Sequence, residues 1–326
     1  LPCRDILWAY RDKSEEGKDP DRTVAVSICT RRKKHYRFDM TADEAEGCLR
    51  TIQKESPETV IGFPKEKNIP TEGMSLLRDL GTTLTEDGRM VLPGRLLRGG
   101  CLYHLSRSDQ EIFDKVLGVK TIVDLRSDQE RDEKPDVFLR DVEYIKNQIL
   151  FDEDEKSIFL RKGDYYDRVL SYEGEIEAEI RAQYRNLVLD DGCMHHYAQL
   201  FDAILDQPRG AIFWHCSDGK DRSAVGAALL LAALGVPYPR ILAAYLETGR
   251  AFEEDRVYML RYFQGRQELT PLQLRNVQAV HSVQEGYLRE IFLAIDEEFG
   301  SIESYLHRQM YLSPKALEEL KERYLV

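Results

Sequence analysis

The chain has 326 residues, 42% of them apolar and 32% charged, and 58 acidic against 46 basic side chains give a formal net charge of −12. That balance argues against a nucleic-acid-binding surface and against broad adhesion to anionic membranes, and it fits a soluble protein with one large core and a small second module. No apolar run approaches the roughly 20 residues needed to cross a bilayer, so stable membrane insertion is not expected.

In chain order, Thr23 to Thr30 (TVAVSICT) predicts a strand and His35 to Met40 alternates like a second. Thr41 is placed to cap a helix running to about Glu55, with Glu44 at the capping-box position. Glu58 to Phe63 predicts another short strand, and Pro64 to Pro70 reads as a linker. Residues 1–68 are therefore expected to form a small N-terminal α/β extension or appended module. Their basic run Arg31 to Lys34 reads as a solvated hairpin rather than a contact for an anionic partner.

Further on, a helix is expected near Ser108 to Leu117, a strand over Thr121 to Leu125 and a short neighbour at Val142 to Ile145. Phe151 to Asp191 is charged and tyrosine-bearing, with helical spacing over Glu173 to Leu187. It reads as a lid insertion over a site or as a surface excursion. Cys193-Met194-His195-His196 starts a helix over His195 to Leu205, with Tyr197, Phe201 and Ile204 inward, rather than a metal site. Beyond Pro239 the chain reads as mostly helical, with amphipathic stretches at Arg240 to Glu253, Gln273 to Glu298 and Pro314 to Leu325. Strands alternating with helices predict an α/β core, a central sheet flanked by helices.

The chemistry concentrates in Trp214-His215-Cys216-Ser217-Asp218-Gly219-Lys220-Asp221-Arg222-Ser223. An apolar strand, Gly210 to Phe213, precedes it. A nearly all-apolar helix from Ser223 to Leu234 follows, ending at Gly235 with Pro237 beyond. A strand that turns sharply into a helix exposes backbone N–H groups at the helix N-terminus, and that geometry binds phosphate. A cysteine there ionises readily, because the helix dipole and a nearby guanidinium favour the thiolate. Cys216 is the expected nucleophile, carrying a cysteinyl-phosphate intermediate. Arg222 offers a planar fork to two phosphate oxygens. Ser217, Asp218, Gly219, Lys220 and Ser223 are expected to bind substrate. Gly219 lets the backbone approach the phosphate, and Ser223 donates to the departing thiolate. His215 is expected to orient the loop backbone. No metal or other cofactor is called for.

These residues resemble the Cys-x5-Arg protein tyrosine phosphatase superfamily, and within it the bacterial tyrosine phosphatase-like family. The resemblance extends over Leu77-Arg78-Asp79-Leu80-Gly81, Asp87-Gly88-Arg89, Gly94 to Gly99, Val119 to Glu130, Pro135-Asp136 and Phe299 to Leu306. It departs at Gly81-Thr82, where the family usually has two glycines. It implies a tyrosine phosphatase-like catalytic domain over residues 69–326, in which 151–191 is a variable region. It also implies that Asp221, inside the loop, is the leaving-group acid. A carboxylate beside a phosphate dianion is costly when ionised, which suits that role. Asp190, Asp191 and the run Asp152 to Glu155 are the alternatives, matching tyrosine phosphatases whose acid sits on a separate loop.

Asp218, Lys220 and Asp221 are also similar to the myotubularin lipid phosphatases, in which case Lys220 could meet a further phosphate on an inositol ring. Otherwise Lys220 offsets the two aspartates. A phosphotyrosine protein and a phosphoinositide both remain open as substrates, with broad specificity included, and phosphate or vanadate should inhibit. A module that binds phosphorylated ligands without turnover is the other functional class, and the intact Cys216 and Arg222 speak against it. Asp124 and Arg126, at the end of a probable central strand, are expected to support the loop, and Arg78 and Asp79 to pair internally. Six scattered cysteines (3, 29, 48, 101, 193 and 216) suit a reducing compartment, the cytoplasm first. The opening Leu1 leaves secretion open.

Overall fold

The computed structural model describes residues 1–12, 23–30, 35–57, 59–61, 68–69, 71–149, 165–207, 210–265 and 268–326. Four strands come from the leading stretch: β1 (Ile6–Asp12), β2 (Thr23–Thr30), β3 (His35–Thr41) and β4 (Val60–Ile61), with helix α1 (Ala42–Glu55) between the last two. They form their own sheet in the order β3-β2-β1-β4. Ile6, Ala9, Val24, Val26 and Ile28 of the strands pack with Ala45 and Ile52 of α1. The expected capping box is present in full: Thr41 Oγ1 accepts from Glu44 N, and Glu44 Oε2 accepts from Thr41 N. Strand β1 was not foreseen. Arg31 to Lys34, half of the Glu58 to Phe63 stretch and most of the linker lie outside the described residues; β4 falls in the described half.

A second sheet carries β5 (Leu77–Asp79), β6 (Leu96–Gly99), β7 (Val119–Asp124), β8 (Glu143–Lys146) and β9 (Ala211–His215), in the order β5-β6-β9-β7-β8. β9 is central and parallel to both neighbours, with Leu97 and Ile122 each in register with Phe213. All five of its residues are buried, as expected of a parallel strand covered on both faces. Its side chains alternate between two cores. Ala211 and Phe213 face Phe113, Leu102 and Leu105, whereas Ile212 and Trp214 face the larger helical layer. The smaller side holds α2 (Arg107–Glu111), which continues into a π-helical turn at Ile112–Val116. Helix α3 (Asp128–Glu133) follows β7.

The larger layer contains α4 (Tyr165–Ser171), α5 (Ile176–Leu189), α6 (Asp191–Asp206), α7 (Arg222–Ala233), α8 (Tyr238–Ala251), α9 (Glu253–Gln264), α10 (Pro271–Val280), α11 (Glu285–Phe299), α12 (Ile302–Arg308) and α13 (Pro314–Tyr324). In the described part of the stretch read as a lid or a surface excursion, Val169, Ile176, Ile180, Tyr184, Leu187 and Val188 are buried in the main core. Residues 150–164 lie outside the described set. The single amphipathic stretch expected over Gln273 to Glu298 divides into α10 and α11. The carbonyls at the end of α10 are taken from outside the helix, Val280 O by Lys220 Nζ and Ala279 O by Tyr287 Oη, which stops the ladder there.

The departure at Gly81-Thr82 has a structural counterpart. Thr82 sits at φ 63°, the left-handed region that glycine tolerates and a β-branched residue does not favour. Its amide donates to Val91 O at 2.8 Å, and the end of the chain bonds the same segment. Val326 N donates to Met90 O at 2.9 Å, and Met90 N to Val326 O at 2.8 Å.

Candidate active site

β9 delivers Cys216 at its C-terminal end, and α7 starts six residues later. Between them the backbone reverses through Gly219 at φ 79°, where a Cβ would lie 2.3 Å from Gly99 C and 2.5 Å from Gly100 N. Only glycine fits that approach.

Five carbonyls of the loop and the start of α7 are held from outside. Cys101 N donates to Ser217 O at 3.0 Å and Ser75 Oγ to Asp218 O at 3.1 Å. Arg98 Nη1 donates to Gly219 O at 2.6 Å, Tyr197 Oη to Arg222 O at 2.9 Å and Trp214 Nε1 to Ser223 O at 2.9 Å. With the Ser217, Asp218 and Gly219 carbonyls turned outward, the amides across the same peptide planes, those of Asp218, Gly219 and Lys220, face the inside of the loop. Among the described residues none of them donates a hydrogen bond. An inward ring of N–H groups at the N-terminus of a twelve-residue helix is an anion cradle.

The side chains complete it. Cys216 is buried, and its Sγ lies 3.8 Å from Ser223 Oγ. Arg222 is also buried. Its Nη1 and Nη2 donate to Glu130 Oε2 and Oε1 at 2.7 and 2.6 Å. Nη1 also approaches Leu125 O and Ile149 O at 3.4 and 3.5 Å. These contacts leave the Nε edge of the guanidinium for a ligand. Glu130 further accepts from Ser217 Oγ and, at 2.9 Å, from Ser127 N. Burial pushes the Glu130 carboxyl up, but the Arg222 charge and the bonds from Arg222 and Ser217 outweigh it and hold the group at about 2. Burial likewise opposes the Arg222 charge, and Glu130 more than restores it.

Beneath the loop lies a second network. His215 Nε2 is 3.1 Å from Asp136 Oδ2, and its Nδ1 is 3.3 Å from Cys216 O. Arg126 grips Asp124 through Nε and Nη2 at 2.9 and 2.8 Å, Asp136 at 2.9 Å and Lys134 O at 2.7 Å. Asp124, Asp136 and His215 bring three metal-ligating groups together. The Arg126 guanidinium already pairs with both carboxylates, so a metal ion would have to displace it. Burial pushes His215 down, and Asp124 and Asp136 push it up further, for a net rise.

Residues 69–326 match the profile described as the tyrosine phosphatase family. The chain belongs to that family. It is a tyrosine phosphatase-type phosphoric monoester hydrolase. A protein of Cupriavidus necator, provisionally named a tyrosine-protein phosphatase, is 30% identical over 72% of this chain and 80% of its own length. A tyrosine-protein phosphatase of Nostoc commune is 27% identical over 70% of this chain and 73% of its own. The triple-specificity protein phosphatase PtpB of Mycobacterium tuberculosis is 27% identical over 70% and 89%.

Within this phosphatase the loop residues singled out from sequence come together around Cys216. Asp221 stands at the start of α7, its Oδ1 accepting from Tyr184 Oη at 2.6 Å. Asp218 is exposed. Lys220 is buried, donating to Val280 O at 2.5 Å with Nζ 3.6 Å from Asp221 Oδ2, so its charge is used inside the fold. Asp190 caps α6 by accepting from Cys193 N at 2.9 Å and Asp191 opens that helix, while Asp152 to Glu155 lie outside the described residues. Asp124 and Arg126 sit under the loop. Arg78 reaches Asn68 and Glu247 at 2.9 Å each, and Asp79 accepts from Gly81 N and Gly94 N. Tyr197, Phe201 and Ile204 are buried as expected.

Sequence reasoning missed Glu130, Arg98, Tyr184 and Tyr245. Ser127-x-x-Glu130 was legible as a capping box, and that box is present. Nothing local says that the same carboxylate also reaches Arg222.

Proposed function

We propose that this phosphatase hydrolyses phosphotyrosine in proteins through a cysteinyl-phosphate intermediate, with Cys216 as nucleophile, Arg222 as phosphate clamp and Asp221 as acid. The ring of carbonyls turned outward around Cys216 carries the reading, because it turns the loop amides toward the position of a phosphate. In the first step Cys216 Sγ attacks phosphorus. The S–P bond forms, the ester P–O bond breaks, and the leaving oxygen takes its proton from Asp221. The inward amides and the Nε edge of Arg222 hold the three equatorial oxygens as charge shifts. In the second step water attacks phosphorus, the S–P bond breaks, and Asp221 recovers a proton from the water. Ser223 donates to the departing thiolate. His215, Asp124, Arg126 and Asp136 hold the loop from below, and no step calls for a metal.

The buried position of Lys220 favours a phosphotyrosine protein over a phosphoinositide, since its ammonium is committed to Val280 and Asp221. Residues 1–68, with a sheet and core of their own, are read as an appended module. No helix among the described residues is long and apolar enough to cross a membrane. Cys3, Cys48, Cys101, Cys193 and Cys216 are free thiols, which supports placing the protein in a reducing compartment.

Phosphate release from phosphotyrosine peptides and from phosphoinositide micelles, side by side, tests this. Wild type should turn over the peptides preferentially, Cys216→Ser should release none, and Lys220→Met should lose activity on both substrates alike. Equal release by Cys216→Ser would end the cysteine mechanism. A loss in Lys220→Met confined to lipid would restore the phosphoinositide reading.

A further inference from the structure

Asp221 is held by a buried chain of hydroxyls. Its Oδ1 accepts from Tyr184 on α5 at 2.6 Å, and the hydroxyl oxygens of Tyr184 and Tyr245, on α8, lie 2.8 Å apart. Both tyrosines are buried. Burial first, and the Asp221 charge after it, pushes both phenols well above their ordinary range, so both stay protonated. A tyrosine hydroxyl has one proton to donate, and a carboxylate oxygen offers only lone pairs. Tyr184 therefore commits its proton to Asp221, and Tyr245 must donate to Tyr184. The chain runs one way, from Tyr245 through Tyr184 to Asp221. The other carboxylate oxygen is held differently: Oδ2 is 3.6 Å from Lys220 Nζ, beyond hydrogen-bond length, and Lys220 donates to Val280 O instead.

We infer that Tyr184 is a positioning residue for proton transfer, engaging Oδ1 of Asp221 so that the transferable proton resides on Oδ2, with Tyr245 fixing the direction of the Tyr184 hydroxyl. The inference rests on the reading of Asp221 as the leaving-group acid. When the ester P–O bond breaks, Oδ2 gives its proton to the leaving oxygen, and the carboxylate keeps its bond from Tyr184 at Oδ1. When water attacks, Oδ2 takes a proton back as the S–P bond breaks. Neither tyrosine gains or loses a proton. The segment that reads from sequence as a lid or a surface excursion thus supplies the brace of the acid.

The test compares kcat and KM of wild type, Tyr184→Phe, Tyr245→Phe and Asp221→Asn on two esters, an activated nitroaryl phosphate and unactivated phenyl phosphate. Tyr184→Phe should lower kcat on phenyl phosphate about tenfold, with KM little changed and the nitroaryl ester within about twofold of wild type. Tyr245→Phe should show the same selective pattern more weakly, since the donor to Asp221 survives. Loss of equal size on both esters, or none on either, overturns the inference, because a packing role has no reason to sense the leaving group. Should Tyr184→Phe not fold, the pattern in Tyr245→Phe decides. Asp221→Asn separates the two readings. If its loss is equal on both esters, the acid assignment itself fails. If its loss is selective while those of the tyrosine variants are not, only the positioning role fails.

Discussion

Glutamine in place of Glu130 keeps the shape of the side chain that faces Arg222 and removes its charge. Arg222 would then lie buried without its carboxylate, and Ser217 and Ser127 would lose an ionised acceptor. The Glu130 carboxyl, ordinarily at 4.5, is held at about 2. That gap, at about 1.4 kcal/mol for each pH unit, corresponds to about 3 kcal/mol of stability at neutral pH. The figure lies at the lower edge of the range for removing one partner of a buried ion pair, about 3–5 kcal/mol. Because the folded value lies below the unfolded one, this contribution is complete above pH 4.5 and is lost as pH falls through about 2. Urea unfolding of wild type and Glu130→Gln at a series of pH values should show a difference of about 3 kcal/mol near neutrality that closes in acid. A difference below about 1 kcal/mol at neutral pH, or one independent of pH, would show that the pair does no more than an exposed salt bridge and would refute the reasoning.

Gly219→Ala would drive a methyl group into Gly99 and Gly100 at a backbone angle that disfavours any side chain. We expect vanadate affinity, read by calorimetry, to fall at least about tenfold while the far-ultraviolet spectrum stays native, because the clash is confined to the loop. Thr82→Gly should stabilise the domain by about 1 kcal/mol, read by chemical denaturation, because it relieves a left-handed threonine. A destabilised variant would mean that the threonine side chain contributes more than its backbone costs.

The loop was legible because its chemistry is local. A cysteine, a glycine and an arginine at fixed spacing between an apolar strand and an apolar helix can be read without knowing what surrounds them. The same holds for the Thr41 capping pattern, complete by Glu44. The partners that turn the loop into a site were not legible, because they meet only across the fold. Glu130 comes to Arg222 from α3, Arg98 to Gly219 from β6, and Tyr184 to Asp221 from α5. Residues 165–191 carry enough charge to read as a surface cover, yet helical spacing gathers Ile176, Ile180, Tyr184 and Leu187 onto one buried stripe. Short strands such as β5 and β6 escaped for another reason: three or four residues give periodicity too little length to register.

β9 is the last strand of its sheet to be synthesised, yet it occupies the middle, between partners roughly a hundred residues upstream. The sheet therefore cannot grow outward from a finished centre. The β5-β6 and β7-β8 pairs can each form alone, but they join only when the strand leading to Cys216 slots between them, and such long-range pairing is slow. The cradle around the nucleophile is therefore complete only when that strand is in place. Competence arrives with the closing step of assembly, and any anion that fits the finished loop draws the whole domain toward the folded state by mass action.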